Sequence, residues 1–278
     1  PQPLAEALKT ADANIKQTVK VDWGSERLLT VGENRLMMRG HYVSEAFLEM
    51  FQFPLLAGDA ATVLDDPTSI VLTESAAKAL FGNADPINQV VRVDNFADLK
   101  VSGILKNIPQ NSSFDFQCLL PWSFYQQYSG WIKESENDWN EFSFQVFAEL
   151  QPEADLVSVN NSVRDLIKKN GKENMRRDVF LYPMSRWKLY SSFKAGVEEG
   201  GMIDYVKSFS AIAVFILIIA CINFMNLATA RSERRAREVG IRKSVGSRRK
   251  ELIGQFLGES ILISTFAFAL ALVIVELV

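Results

Sequence analysis

The sequence predicts an α+β domain outside the membrane, built from two subdomains and followed by transmembrane α-helices. Three observations carry this prediction. Residues 209–230, FSAIAVFILIIACINFMNLATA, hold no charged side chain; at 1.5 Å rise per residue they span roughly 30 Å, the thickness of a bilayer's hydrocarbon. A basic run, RSERRAREVGIRKSVGSRRK, follows, with nine Lys or Arg against Glu233 and Glu238, a net of +7. A second apolar run then continues to Val278. Short loops this basic stay in the cytoplasm, so the order reads membrane, cytoplasm, membrane. With a formal charge of −3 on the whole chain, residues 1–230 carry −7, and this acidic part lies outside.

Of the 278 residues, 48% are hydrophobic and 23% charged, a globular average that conceals two different segments. The N-terminal 200 residues are enough to bury a core of their own. Cys118 and Cys221 are the only cysteines, and Cys221 sits inside the first apolar run, so no disulfide joins them. The chain opens at Pro1 without an initiator Met or a signal peptide and stops within an apolar run, which predicts a piece of a longer protein with a membrane helix ahead of Pro1.

Taken in order, residues 3–17 show helical spacing at Leu4, Leu8 and Ile15. Short strands are expected around 19–23, 28–31 and 35–43, after which Ser44 caps a helix, EAFLEMF, that ends before Pro54. SIVLTESAAKALFG reads as strand then helix, with Thr73 as N-cap, Glu74 in the first turn and Gly82 closing it. Asp85-Pro86 turns the chain into the strand QVVRVD, and a loop at 95–98 leads to the strand KVSGIL. IPQNSSFDFQCLL adds another strand, followed by an aromatic-rich region with Trp122, Phe124, Tyr125, Tyr128, Trp131 and Trp139. EFSFQVFAEL alternates with period two. A helix, ADLVSVNNSVRDLIKKN, is ended by Gly171, and strand pieces are expected near 179–182 and 187–190. GVEEGG at 196–201 reads as a flexible acidic joint. The first subdomain covers about 1–107 with 185–200, and the second about 108–184. Beyond them lie a transmembrane helix at 203–230, a cytoplasmic loop at 231–250 and a second transmembrane helix at 251–278.

A search for chemistry returns little. No G-x-x-x-x-G-K-[ST] phosphate loop is present, so the chain does not itself bind and hydrolyse ATP in the usual way. His41 is the sole histidine, without Cys or His neighbours, and is expected to face solvent from a strand. No G-x-S-x-G elbow accompanies it, and carboxylate pairs such as Asp65-Asp66 and Glu198-Glu199 fall in loops where solvated charge is the default. The sequence therefore assigns no catalytic, cofactor or metal residue. The aromatic region fits core packing or an apolar surface that meets a hydrophobic substrate or a partner protein.

The basic run carries a mechanism. Residues 231–245 can continue the first membrane helix into the cytoplasm, with Ala236, Val239 and Ile241 among the arginines, a pattern suited to docking on a protein. Gly246 then ends the helix and Ser247 can cap the next. A short helix joined at both ends to membrane helices is a lever. A patch that only touches anionic lipid or nucleic acid is the alternative, and the topology argues against nucleic acid. Glu259 lies near the cytoplasmic end of the second helix, where a carboxylate serves as an interfacial anchor or a structural group inside the bundle.

NFMNLATARSERRAREVGIRKSVGSRRKELIGQFLGES resembles the permease signature of the MacB and FtsX-like ABC transporter family. VSEAFLEMFQFPLLAGD, SIVLTESAAKALFG and KVSGILKNIPQNSSFDF are similar to that family's periplasmic core domain. The resemblance implies a permease of the bacterial inner membrane with its N-terminal domain in the periplasm. It implies dimerisation with a second permease, alike or different, and four membrane helices per protomer. An ATPase subunit or domain would dock on the coupling loop and bind the ATP, leaving this chain without a cofactor, and a periplasmic adaptor is a further candidate partner. On this resemblance Glu238, Gly240, Arg242, Lys243 and Gly246 match the coupling-loop motif and Asn223 and Asn226 match polar positions of the preceding helix; the basic run adds Arg234 and Arg237 to the coupling residues, and Glu259 is the further polar transmembrane position. The implied activity is mechanotransmission: ATP-driven closure in the cytoplasm moves the periplasmic domain, for export of a peptide, antibiotic or lipoprotein. An FtsX-like signal transmitter that regulates envelope hydrolases is the alternative.

Overall fold

A computed structural model describes residues 1–172, 177–246 and 249–277. They form two compact units, Pro1–Met184 and Ser185–Val278.

The first unit is organised by one nine-stranded sheet. Its strands are β1 (Ile15–Val21), β2 (Ser25–Val31), β3 (Asn34–Val43), β4 (Leu55–Ala57), β5 (Ser69–Thr73), β6 (Val90–Val93), β7 (Ala97–Leu105), β8 (Cys118–Pro121) and β9 (Gln145–Leu150). The hydrogen-bonded order β2-β6-β7-β5-β8-β3 closes on itself because β3 also pairs with β2, from Ser25 opposite Gly40 to Val31 opposite Asn34. Closure leaves no free edge around this six-stranded circuit. β1 and β9 continue the sheet beyond β3, and β4 pairs with the end of β7. The turn between β6 and β7 is a tight three-residue loop, 94–96, in which Asp94 and Asn95 take positive φ and Phe96 N donates to Val93 O.

Helices cover this sheet: α1 (Leu4–Ala11), α2 (Phe47–Phe51), α3 (Glu74–Phe81), α4 (Trp122–Tyr128), α5 (Gly130–Glu134), α6 (Leu156–Val163) and α7 (Leu166–Asn170). One core gathers Leu29, Met38, Ile70, Leu72, Val91, Leu99 and Leu120 with Leu80 of α3 and Trp122 and Phe124 of α4. A second joins Leu8 of α1 and Ile15 of β1 to Val159, Val163 and Ile167 of the last helices. The expected boundary near residue 107 runs through the sheet, since β8 and β9 lie beyond it and pair with strands before it.

Several expectations hold. Thr73 caps α3 by accepting from Ala76 N, and Gly82 closes it. Others are corrected. The first helix ends at Ala11, because Asp12 turns extended and its carboxylate accepts from Asn14 N. Ser44 caps nothing: its hydroxyl accepts from Lys20 N at 2.8 Å, and α2 starts without a side-chain cap. The single helix expected after residue 153 is broken between Val163 and Leu166. No strand forms at 179–182, where the Asn160 amide takes a strand's place, accepting from Leu181 N and donating to Leu181 O.

His41 is the largest correction. It is 7% exposed rather than solvent-facing, because Asp22 satisfies it. Its Nδ1 lies 3.0 Å from Asp22 Oδ1 and 3.2 Å from Asp22 O; both oxygens accept, so the nitrogen donates. Asp22 Oδ1 also accepts from Tyr42 N and Gly24 N.

Around the start of the second unit, α8 (Met184–Trp187) and the turn after it replace the strand expected at 187–190, and the joint expected at 196–201 includes β11 (Val197–Glu198), which pairs with β10 (Phe193–Lys194) in a hairpin. Two long helices follow, α9 (Met202–Ser244) and α10 (Arg249–Leu277).

Candidate functional site in the basic turn

The uncharged stretch 209–230 and the basic run as far as Ser244 belong to one helix, α9, 43 residues long. Its apolar part lies wholly on the outside of the unit, with none of the span 202–230 buried, and the same is true of 253–277 in α10. A soluble core helix hides such a surface; helices this long, this apolar and this uncovered are built for lipid. Thr229 Oγ1 donates to Met225 O and Thr265 Oγ1 to Ile261 O, so these two threonine hydroxyls are satisfied within their own helices. Asn223 and Asn226 are exposed on α9, and Glu259 lies on α10.

α9 ends as Val245 N donates to Ile241 O and Gly246 takes φ +100°. A residue with a side chain is strained there, so glycine sets the turn. Across the turn, Arg242 Nη1 donates to Gln255 Oε1 at 2.9 Å and ties the end of α9 to the second turn of α10. The backbone of the other coupling candidates, Arg234, Arg237, Glu238, Gly240 and Lys243, is helical. Their side chains, apart from Gly240, lie outside the described residues, as does the expected cap Ser247. Among the basic residues stand two uncovered aliphatic side chains, Ile241 and Val245, the latter 82% exposed. Cations around bare aliphatic groups make a surface suited to an acidic protein partner with an apolar centre. Gln255 was missed in the sequence; a lone amide in the first turns of an otherwise apolar helix is the only local signal for it.

Among the described residues of the first unit no group of three metal-ligating side chains converges. A cavity of about 320 Å³ is lined by Leu56, Ala57, Ala77, Ile87 and Ile104, with Glu74, Lys78 and Asp85 as its charged members, and Lys78 and Glu74 both sit on the exposed side of α3. The aromatic region is mostly packing: Trp122 and Phe124 are buried, Tyr125 stacks on Tyr42 at 4.0 Å, and Trp131 stacks on Phe144 at 5.5 Å. Burial pushes the Tyr42 hydroxyl up to about 12 against the opposing Arg27 guanidinium, and it pushes the Cys118 thiol up to about 12, which makes that thiol inert.

Comparison with known proteins bears on both units. Residues 1–166 match the MacB-like periplasmic core domain, and residues 210–278 match the FtsX-like permease C-terminal family. Relatives include the macrolide export ATP-binding/permease protein MacB of Haemophilus ducreyi, 27% identical over 80% of this chain and 30% of that protein. The MacB protein of Burkholderia pseudomallei is 26% identical over 88% of this chain and 34% of its own length. An ABC transporter permease of Bacillus subtilis, YknZ, is 25% identical over 70% of this chain and 44% of that protein. The chain spans about a third of the length of the MacB relatives it matches. Two solved structures share the fold: a domain described as part of a Porphyromonas gingivalis permease (TM-score 0.53, 19% identity, 64% of this chain and 82% of that one) and the extracellular domain of YknZ (TM-score 0.50, 15% identity, 65% and 88%).

Proposed function

Because this chain belongs to the family of ABC permeases that join a MacB-like periplasmic core domain to an FtsX-like permease segment, we propose that it is the part of such a permease that carries motion from a cytoplasmic ATPase to a periplasmic domain. The observation that carries this is the continuity of α9, which runs as one helix from an uncharged lipid-length stretch into a basic end with Ile241 and Val245 uncovered. A helix is stiff over this length, so displacement of its basic end moves the rest. The stretch 209–230 offers no charged lining for a polar pathway, which favours transmission of movement over passage through the helices.

On this reading residues 1–200 form the periplasmic core domain, 203–230 and 251–278 cross the inner membrane, and 231–250 is the coupling loop. ATP is hydrolysed elsewhere, on a separate subunit or on a domain outside this sequence as the names of the MacB relatives imply. Arg234, Arg237, Glu238, Gly240, Arg242, Lys243 and Gly246 form the contact, and two permeases work together. Export leads over signal transmission, because the matching MacB relatives carry export in their names. A peptide, an antibiotic such as a macrolide, or a lipoprotein is the proposed cargo class.

The test is purification of the full-length permease from its native host in lipid nanodiscs. An ATPase subunit or domain is expected to accompany it, and Arg242→Glu with Lys243→Glu is expected to abolish the dependence of ATP hydrolysis on the permease. Unchanged coupling in that variant, or a permease that associates with no ATPase, defeats the proposal.

A further inference from the structure

The hairpin of β10 and β11 is extended by bonds across its open end, and the segment before it is tied to the first turn of α9. Ser192 N donates to Gly200 O, Glu199 N to Ser192 O, and Ile203 N to Leu189 O at 2.9 Å. Arg186 grips Glu198 with two nitrogens, at 2.6 and 3.2 Å, while its guanidinium lies 4.4 Å over the Tyr190 ring. The tip is a two-residue turn with Ala195 and Gly196 both at positive φ, which fixes the strand twist. The hairpin is therefore a small rigid knob on the first turn of a long apolar helix.

Its height along that helix follows from the Ile203–Leu189 bond. Ile203 lies six residues before the uncharged stretch begins, so Leu189 sits about 9 Å above the hydrocarbon boundary at 1.5 Å per residue, within the headgroup layer. Four large side chains of this segment are exposed to differing degrees: Leu189 and Phe193 (38% each), Tyr205 (62%) and Val197 (69%). Most of the charges alongside them are paired, Arg186 with Glu198, Lys194 with Glu199 and Lys207 with Asp204, while Lys188 is exposed and long enough to reach the headgroups. Pairing lowers the cost of removing them from bulk water, and Trp187, Tyr190 and Tyr205 are the residue types that settle at a membrane–water boundary.

We propose that the β10–β11 hairpin seats in the outer-leaflet interface of the membrane, with Phe193 and Val197 reaching the acyl boundary and the paired Arg186 and Lys194 among the headgroups. The occupant of this apolar face is phospholipid, argued from its continuity with the apolar surface of α9. The inference rests on the reading that α9 crosses the membrane. Its consequence is mechanical: the hairpin acts as a collar that resists sinking or lifting of α9 at its periplasmic end.

The experiment places a nitroxide at Val197→Cys in the full-length protein carrying Cys221→Ala, reconstituted in nanodiscs of phosphatidylcholine and phosphatidylglycerol. Cys118 stays unlabelled because it is buried with a raised thiol pKa. Val157→Cys, exposed on α6, serves as the aqueous reference, Ile216→Cys in α9 as the membrane reference, and Leu189→Cys as a second hairpin position if the first variant does not fold. The expected result at residue 197 is relaxation by oxygen with several-fold less relaxation by a water-soluble nickel chelate than at 157. Nickel access equal to that at 157 overturns the proposal, and so does shielding from both reagents, which would mean a protein covers the hairpin. If the label at 216 is itself nickel-accessible, the membrane reading of α9 fails and the hairpin proposal falls with it; oxygen-only access at 216 with aqueous access at 197 defeats the hairpin proposal alone.

Discussion

Gly24→Ala tests how the first unit is locked at the corner between β1 and β2. Gly24 has φ +68°, and a Cβ built on it meets His41 Cε1 at 2.5 Å and Nε2 at 2.6 Å. The backbone conformation alone costs an alanine about 1 kcal/mol. The ring cannot retreat without leaving Asp22, whose carboxylate also receives Tyr42 N and Gly24 N, and Phe116 stands edge-on to it at 6.2 Å. Overpacking of this kind adds about 1–3 kcal/mol. The sum, about 3 kcal/mol, corresponds to a fall in Tm of roughly 6–12 °C for a unit of this size. The assay is thermal unfolding of the full chain in nanodiscs, followed by the near-ultraviolet signal of the buried Trp122. His41→Ala removes the clashing ring, so in its background Gly24→Ala should cost only the backbone share, a coupling of more than about 1 kcal/mol between the two sites. A Tm change under about 2 °C for Gly24→Ala, or strict additivity with His41→Ala, refutes the reasoning.

Three further outcomes are expected. Tyr42 has its pKa raised to about 12 by burial, so its contribution is intact below pH 10 and is lost as pH rises from 10 through 12; by linkage the loss approaches about 3 kcal/mol, and Tyr42→Phe should flatten alkaline unfolding across that window. Thr73→Ala removes the side-chain cap of α3 and should cost about 1 kcal/mol, read as a shift in denaturation midpoint, whereas Thr73→Ser should preserve it. Gln255→Leu breaks the bond that ties Arg242 to α10; ATPase coupling should fall several-fold while ATPase association persists, and Gln255→Asn should not restore the full value because its shorter side chain cannot span the same 2.9 Å contact.

The parts of this molecule that were legible in its sequence are those encoded locally. The uncharged 22 residues before Arg231 state their own length, the lysines and arginines after them state an orientation, and Thr73, Glu74 and Gly82 mark a helix by its two ends. What stayed hidden depends on distant partners. Closure of the strand circuit rests on β3 pairing with β2, β8 and β1 at once, and no local pattern reports that a strand has three neighbours. His41 looked solvent-facing because the group that buries it, Asp22, stands 19 residues earlier in the turn that follows β1. Leu181 carries strand-like composition, yet its backbone finds a side-chain amide rather than a strand. Within the candidate site, the helix end at Gly246 was readable, while the Arg242–Gln255 bond was not, since thirteen residues and a reversal of direction separate the two groups.

The central claim is that the basic end of α9 is the surface on which an ATPase works. Val245, 82% exposed between the two helices, is the position to probe, because its side chain is open to a partner and stands at the turn itself. A photo-crosslinking amino acid placed at 245 in the full-length protein in cells should yield one dominant adduct with an ATPase subunit or domain, diminished when Arg242 and Lys243 are both changed to Glu. Adducts with periplasmic proteins, or none with any ATPase while the protein remains active, contradict the account.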